Sequence, residues 1–135
     1  MITLITGKKG SGKTKRLIEL ANKAMEVSKG NVVFIEKGTQ LTYDISHSIR
    51  LVDIESYGVC GFDALYGFVS GICAGNYDVT DILVDSTLKI AGDDKQALTG
   101  FVEKVNALSE RCKVNLVFSI SADDSELSDA VKKFI

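Results

Sequence analysis

Apolar residues along this chain fall in short dense runs that alternate with longer, periodically apolar stretches. Residues 1–6 (MITLIT) form a run with β-branched members closed by Gly7, a pattern that predicts a buried strand. Residues 14–28 follow with Leu17, Ile18, Leu20, Ala21, Ala24, Met25 and Val27 at helical spacing, and Lys29-Gly30 supplies the stop. A second strand is expected over residues 31–36 (NVVFIE) and a third over residues 50–54 (RLVDI). Between them residues 37–48 are polar and unpatterned, a long loop or an extra hairpin. Residues 62–74 (FDALYGFVSGICA) predict a helix, against which Gly67 and Gly71 each weigh about 1 kcal/mol relative to alanine. Residues 81–85 (DILVD) read as a strand ending in a carboxylate. Residues 93–110 read as a helix with Ala97, Leu98, Phe101, Val105 and Leu108 inward and acidic residues at its positive end. A fifth strand over residues 114–120 (VNLVFSI) and a terminal helix over residues 124–133 complete the pattern.

Strands alternating with helices imply β-α-β units. Near-continuous apolar strands imply a parallel sheet covered on both faces. The expected fold is therefore α/β, a three-layer α/β/α sandwich around a mainly parallel five-stranded sheet, with residues 1–135 as a single domain. In such a sheet ligands bind beyond the carboxyl ends of the strands. Those ends carry the segment from Gly7 to Thr14, Glu36, Asp85-Ser86 and Ser119 to Ser121.

Composition narrows the function classes. The hydrophobic fraction of 45% and the charged fraction of 25% are those of an ordinary globular domain, not a disordered chain. Sixteen basic and eighteen acidic residues give a net charge of −2, so no global basic field recruits nucleic acid or an anionic membrane. No apolar run approaches the roughly 20 residues needed to span a bilayer, and Lys8, Lys9 and Lys13 interrupt any signal-peptide core. Three cysteines, Cys60, Cys73 and Cys112, lack C-x-x-C pairing, which suits reduced thiols and a cytoplasmic setting. Cys60 and Cys73 flank the 62–74 helix and read as small packing hydrophobes. His47, the sole histidine, has no neighbour at metal-ligand spacing and reads as a loop residue.

One segment carries chemistry outright. Gly7, Lys8, Lys9, Gly10, Ser11, Gly12, Lys13 and Thr14 fit G-x-x-x-x-G-K-[ST] at every fixed position, between a strand and an amphipathic helix. The glycines let successive backbone N–H groups point into one concavity that suits phosphate oxygens. The following helix adds the positive end of its dipole. In that pattern Lys13 reaches the β- and γ-phosphates and the Thr14 hydroxyl is a magnesium ligand.

This N-terminal region resembles the P-loop NTPases, with GKKGSGKT as the Walker A motif, and the alternation of elements extends the likeness over nearly the whole chain. The resemblance implies ATP as ligand with Mg²⁺, bound through the phosphates. It also implies a Walker B aspartate at the end of an apolar strand, which Asp85 supplies, acting on the metal through water. Asp81 reads as the start of that strand. No glutamate follows Asp85, where many ATPases of the superfamily place their catalytic base; Ser86-Thr87-Leu88 stands there instead. In the RecA-like, additional-strand branch the base sits at the end of the strand after the P-loop helix, which is the place of Glu36. Glu36 is equally readable as an exposed strand-end residue. Ser119 and Ser121 stand where the family has a polar sensor of the γ-phosphate, or they cap the following helix.

The chain has three arginines, Arg16, Arg50 and Arg111, too few for a lid of the adenylate-kinase kind. It has no N-K-x-D or T-K-x-D tetrapeptide for guanine. Two enzyme readings and one binding reading follow. The first is a minimal ATP-binding module that hydrolyses ATP or switches with it, similar to small bacterial proteins labelled twitching-motility ATPase. The second is a phosphotransferase similar to thymidine kinase, with residues 37–48 as substrate loop. The third is a nucleotide sensor without turnover. The resemblance places the 114–120 strand between the P-loop strand and the Walker B strand, which leaves residues 2–6 at a sheet edge. That edge is covered by a helix or loop, or it pairs with a second copy or another protein, with self-association favoured.

Overall fold

The apolar runs become strands β1 (Thr3–Gly7), β2 (Asn31–Glu36), β3 (Arg50–Asp53), β4 (Val79–Val84) and β5 (Asn115–Ser121). Helices α1 (Lys13–Val27), α2 (Phe62–Gly75), α3 (Thr87–Ala91), α4 (Lys95–Cys112) and α5 (Asp129–Lys132) connect or follow them. These elements come from a computed structural model that describes residues 1–38 and 44–135. Part of the expected loop or hairpin over residues 37–48 lies outside the described residues; 37, 38 and 44–48 form no strand.

All five strands are parallel, in the order β1-β5-β4-β2-β3. The expected α/β/α sandwich is therefore the fold. One face of the sheet packs Leu4, Val33, Ile35, Ile82, Val84 and Phe118 against α2, α3, α4 and α5. The other face packs Ile5, Val32, Phe34 and Leu83 against α1 and against Ile45 and Ile49. As expected, β5 separates β1 from β4, so the loop after β1 and the end of β4 face each other across one strand.

The expected helix over residues 62–74 is α2, which forms despite its glycines because Leu65 and Val69 are fully buried, each worth about 1.5–3 kcal/mol, against about 1 kcal/mol lost per glycine. Other local expectations are corrected. β4 begins at Val79, so Asp81 lies inside the strand, where its carboxylate accepts from Asn115 across the Asp81–Asn115 register pair. On α4, Asp94 is the N-cap, accepting from the N–H groups of Gln96 and Ala97. Ala97 is exposed, and Val102 takes the inward place. The terminal helix is broken: a 3₁₀ turn over Asp124–Glu126 is followed by extended Leu127, whose side chain enters the core, and only then by α5. Cys60 is exposed and does not pack as a hydrophobe.

The edge at β1 is not bare. Leu4 N–H donates to the Phe134 carbonyl at 2.8 Å, and Leu127, Val131 and Phe134 join Ile2 and Leu4 in the core. The C-terminal segment is thus the cover, and pairing of β1 with a second copy loses its motive. Among the described residues, no helix is long and apolar enough to cross a membrane.

One backbone approach sets the crossover from α1 to β2. A Cβ at Gly30 would overlap the Asp78 carbonyl oxygen and crowd the Thr80 methyl. Gly30→Ala must push two backbone segments apart and is expected to cost about 1–3 kcal/mol. A thermal melt should show the midpoint lowered by roughly 3–10 °C, and an unchanged midpoint would refute the close approach.

Candidate functional site

The loop after β1 bends through glycines in the left-handed half of backbone space. Gly10 has φ 86° and Gly12 φ 85°, and a Cβ at either would meet nothing, so conformation and not space demands glycine there. At Gly7 space matters too, since a Cβ would strike the Ser11 side chain. Ser11 N–H donates to the Lys8 carbonyl at 3.1 Å, closing the turn that delivers Gly12 as the N-cap of α1. Gly12 has no side chain to cap the first turn, so the helix presents its N-terminal end without an internal anion.

Lys13 opens the helix and is only 8% exposed. Its ammonium donates to the Lys8 carbonyl at 2.8 Å and to Ser11 Oγ at 3.4 Å, folding back over the loop. Burial pushes the Lys13 pKa below its ordinary value, and the Asp85 carboxylate opposes that shift. A desolvated cation beside a glycine-built concavity attracts an anion more strongly than a solvated one would.

The second wall comes from the end of β4. Asp85, nearly buried, accepts from Thr14 Oγ1 at 3.2 Å and from Ser119 Oγ at 2.9 Å. Its own N–H donates to the Ile35 carbonyl, which ties it to β2. Ser119 Oγ also accepts from Ser86 N–H at 2.8 Å. The carboxylate is therefore held by hydroxyls from two other elements, Thr14 on α1 and Ser119 on β5. Among the described residues no three His, Cys, Asp or Glu side chains form a metal-binding group. A single carboxylate beside a threonine hydroxyl is an all-oxygen donor set, which suits a hard cation that keeps most of its waters, as Mg²⁺ does.

Between these walls lies a cleft of about 490 Å³, lined by Lys9, Gly12, Lys13, Thr14, Asp85 and Ser119 among others. Ser86, Leu88, Lys89 and Ser121 also line it. Sequence reasoning gave Leu88 and Lys89 no role. A five-residue helix is too short to show periodicity, and its start at Ser86 is a left-handed residue, φ 55°. A non-glycine residue held there costs about 1–2 kcal/mol, a strain placed directly after Asp85 on the cleft wall.

The structure brings together Gly7 to Thr14, Asp85, Ser119 and Ser121 from the expected set. Ser119 does not cap a helix, because its hydroxyl is committed to Asp85 and Ser86. Ser121 does not cap either, since the following 3₁₀ turn is capped by Asp123. Glu36 is buried at 3% exposure, which removes the reading of an exposed strand end. It stands one residue beyond the Ile35–Val84 pair, level with Asp85 on the neighbouring strand, and is not among the cleft-lining residues. Arg16, Arg50 and Arg111 are exposed, and none lines the cleft. His47 is an exposed loop residue, as expected. A groove of about 570 Å³ between α2 and β3 has Arg50 as its one charged lining residue and no glycine-built N–H array.

No protein-family model matches this chain, and no curated protein matches it significantly.

Proposed function

We propose that this protein is a P-loop nucleotide-binding protein that takes ATP with Mg²⁺ in the cleft between the Gly7–Thr14 loop and the end of β4. The supporting observation is the contact between Thr14 Oγ1 and the Asp85 carboxylate, 71 positions apart in the chain. It unites the two motifs that such a site needs, on a strand order in which one strand separates them.

Each residue then has a task. The N–H groups of the loop and the start of α1 orient the phosphates, and Lys13 swings from the Lys8 carbonyl to the phosphate oxygens, exchanging one acceptor for a charged one. Thr14 and Asp85 would hold Mg²⁺, and Ser119 keeps the carboxylate oriented. When bound, the ion neutralises phosphate charge and polarises the terminal phosphoryl group. Lys9 and Lys89 face the same cleft and add positive potential at its rim. Adenine is the default base, since the guanine-reading tetrapeptides are absent. We assign to Glu36 the role of the base that orients the attacking water, in the manner of the RecA-like branch; without turnover the same site serves as an ATP-driven switch.

Titration with ATP, ADP and thymidine, each with and without Mg²⁺, followed by measurement of phosphate release, tests this reading. Mg²⁺-dependent ATP binding is expected, with slow release of phosphate and no transfer to the nucleoside. Phosphorylated nucleoside would favour the thymidine-kinase-like reading, and failure to bind ATP at millimolar concentration would overturn the assignment.

A further inference from the structure

The face on which α2 and α4 pack holds a thiol pair. Both helices lead into parallel neighbouring strands from the same side of the sheet, so they run side by side in the same direction. Phe62 at the start of α2 and Phe101 in the first half of α4 meet as tilted rings with centroids 5.2 Å apart, and Lys104 reaches the Tyr66 ring at 4.4 Å. Cys73 lies eleven residues beyond Phe62, and Cys112 eleven residues beyond Phe101. Eleven residues make about three helical turns, so both cysteines return to the faces that bring the two rings together. There Cys112 stands beside Cys73, near enough to act, after burial, in raising the pKa of its thiol. Cys60 sits before the start of α2, at the opposite end of that helix.

We propose that Cys73 and Cys112 form a reversible disulfide between α2 and α4 when the protein meets a hydroperoxide. Cys112 is exposed and Cys73 is partly buried, so the oxidant reaches Cys112 first. Burial above all, and then Cys112 beside it, pushes the Cys73 thiol up to about 11, which keeps it protonated at neutral pH and a poor direct target. The Cys112 thiol and one hydroperoxide give a sulfenic acid and an alcohol, or water from hydrogen peroxide. The Cys73 thiol, held beside Cys112 by the helix packing, then gives up its proton as its sulfur attacks the sulfenic sulfur. The S–S bond forms, the S–O bond breaks, and the proton leaves with the sulfenic hydroxyl as water, so one peroxide is reduced for each dithiol oxidised. The closed ring contains β4, α3 and nearly all of α4, and the bond lies at the C-terminal ends of the helices, away from the cleft.

The test uses the Cys60→Ser chain, treated with one equivalent of hydrogen peroxide in native buffer and, separately, in urea. In the native protein a loss of two hydrogens in mass is expected, with peptide mapping linking Cys73 to Cys112, reversal by dithiothreitol and a melting midpoint raised by at least about 5 °C. Cys112→Ser should leave Cys73 reduced and open to alkylation after unfolding. Sulfinic or sulfonic acid at Cys112 with Cys73 still a free thiol would overturn the proposal. So would a linkage yield no higher in native buffer than in urea.

Discussion

Lys13→Ala is expected to weaken ATP binding roughly ten- to hundredfold while the protein stays folded. A hydrogen bond to a charged group is worth about 1.5–3 kcal/mol, and each 1.4 kcal/mol is a factor of ten in affinity. The ammonium is satisfied by the Lys8 carbonyl, a local contact within the loop and not a tie between layers of the sandwich. Its removal also relieves the burial that lowers the Lys13 pKa, so folding loses little. Calorimetric titration of the variant with MgATP checks this, with circular dichroism as the control for folding. A folded variant that binds ATP as tightly as the parent would remove Lys13 from the site.

Glu36→Gln carries the second large effect. Loss of a water-orienting base reduces hydrolysis by roughly a hundredfold or more while leaving MgATP affinity nearly unchanged. The substitution keeps the shape of a buried side chain at the end of β2, so a change confined to turnover separates a chemical role from a structural one. Single-turnover phosphate release at saturating ATP is the measurement. Unchanged release would show that Glu36 is not the base. A fall in affinity and melting temperature together would show that it serves the sheet.

The contrast between what the chain pattern revealed and what it concealed has physical causes. The central strands were legible because they are covered on both faces, so residues 32–35 of β2 form an unbroken buried apolar run and the strand is found with its expected bounds. The loop was legible because a backbone turning through Gly7, Gly10 and Gly12 has few residues that can replace them. α3 was not legible, since five residues anchored by buried Ile90 show no period, and Lys89 was missed with it. The break at Leu127 was hidden as well: a polar stretch with helical propensity gives way where one leucine gains more by entering the core. The covered edge at β1 followed from that same segment, which continues through Val131 to Phe134. The pairing of Cys73 with Cys112 depends on two helices lying in register, which no local spacing reveals.

The most direct test is an assigned amide NMR spectrum of the whole chain, recorded as MgATP is added. Phosphates seated in the loop must accept hydrogen bonds from its N–H groups. The largest shifts are therefore expected at Gly10, Ser11, Gly12, Lys13 and Thr14, with smaller ones at Asp85 and Ser86, and none along β3. Adenosine alone should leave the loop signals in place. If MgATP shifted no loop amide, or shifted only residues of the groove between α2 and β3, ATP would not be the ligand of this cleft.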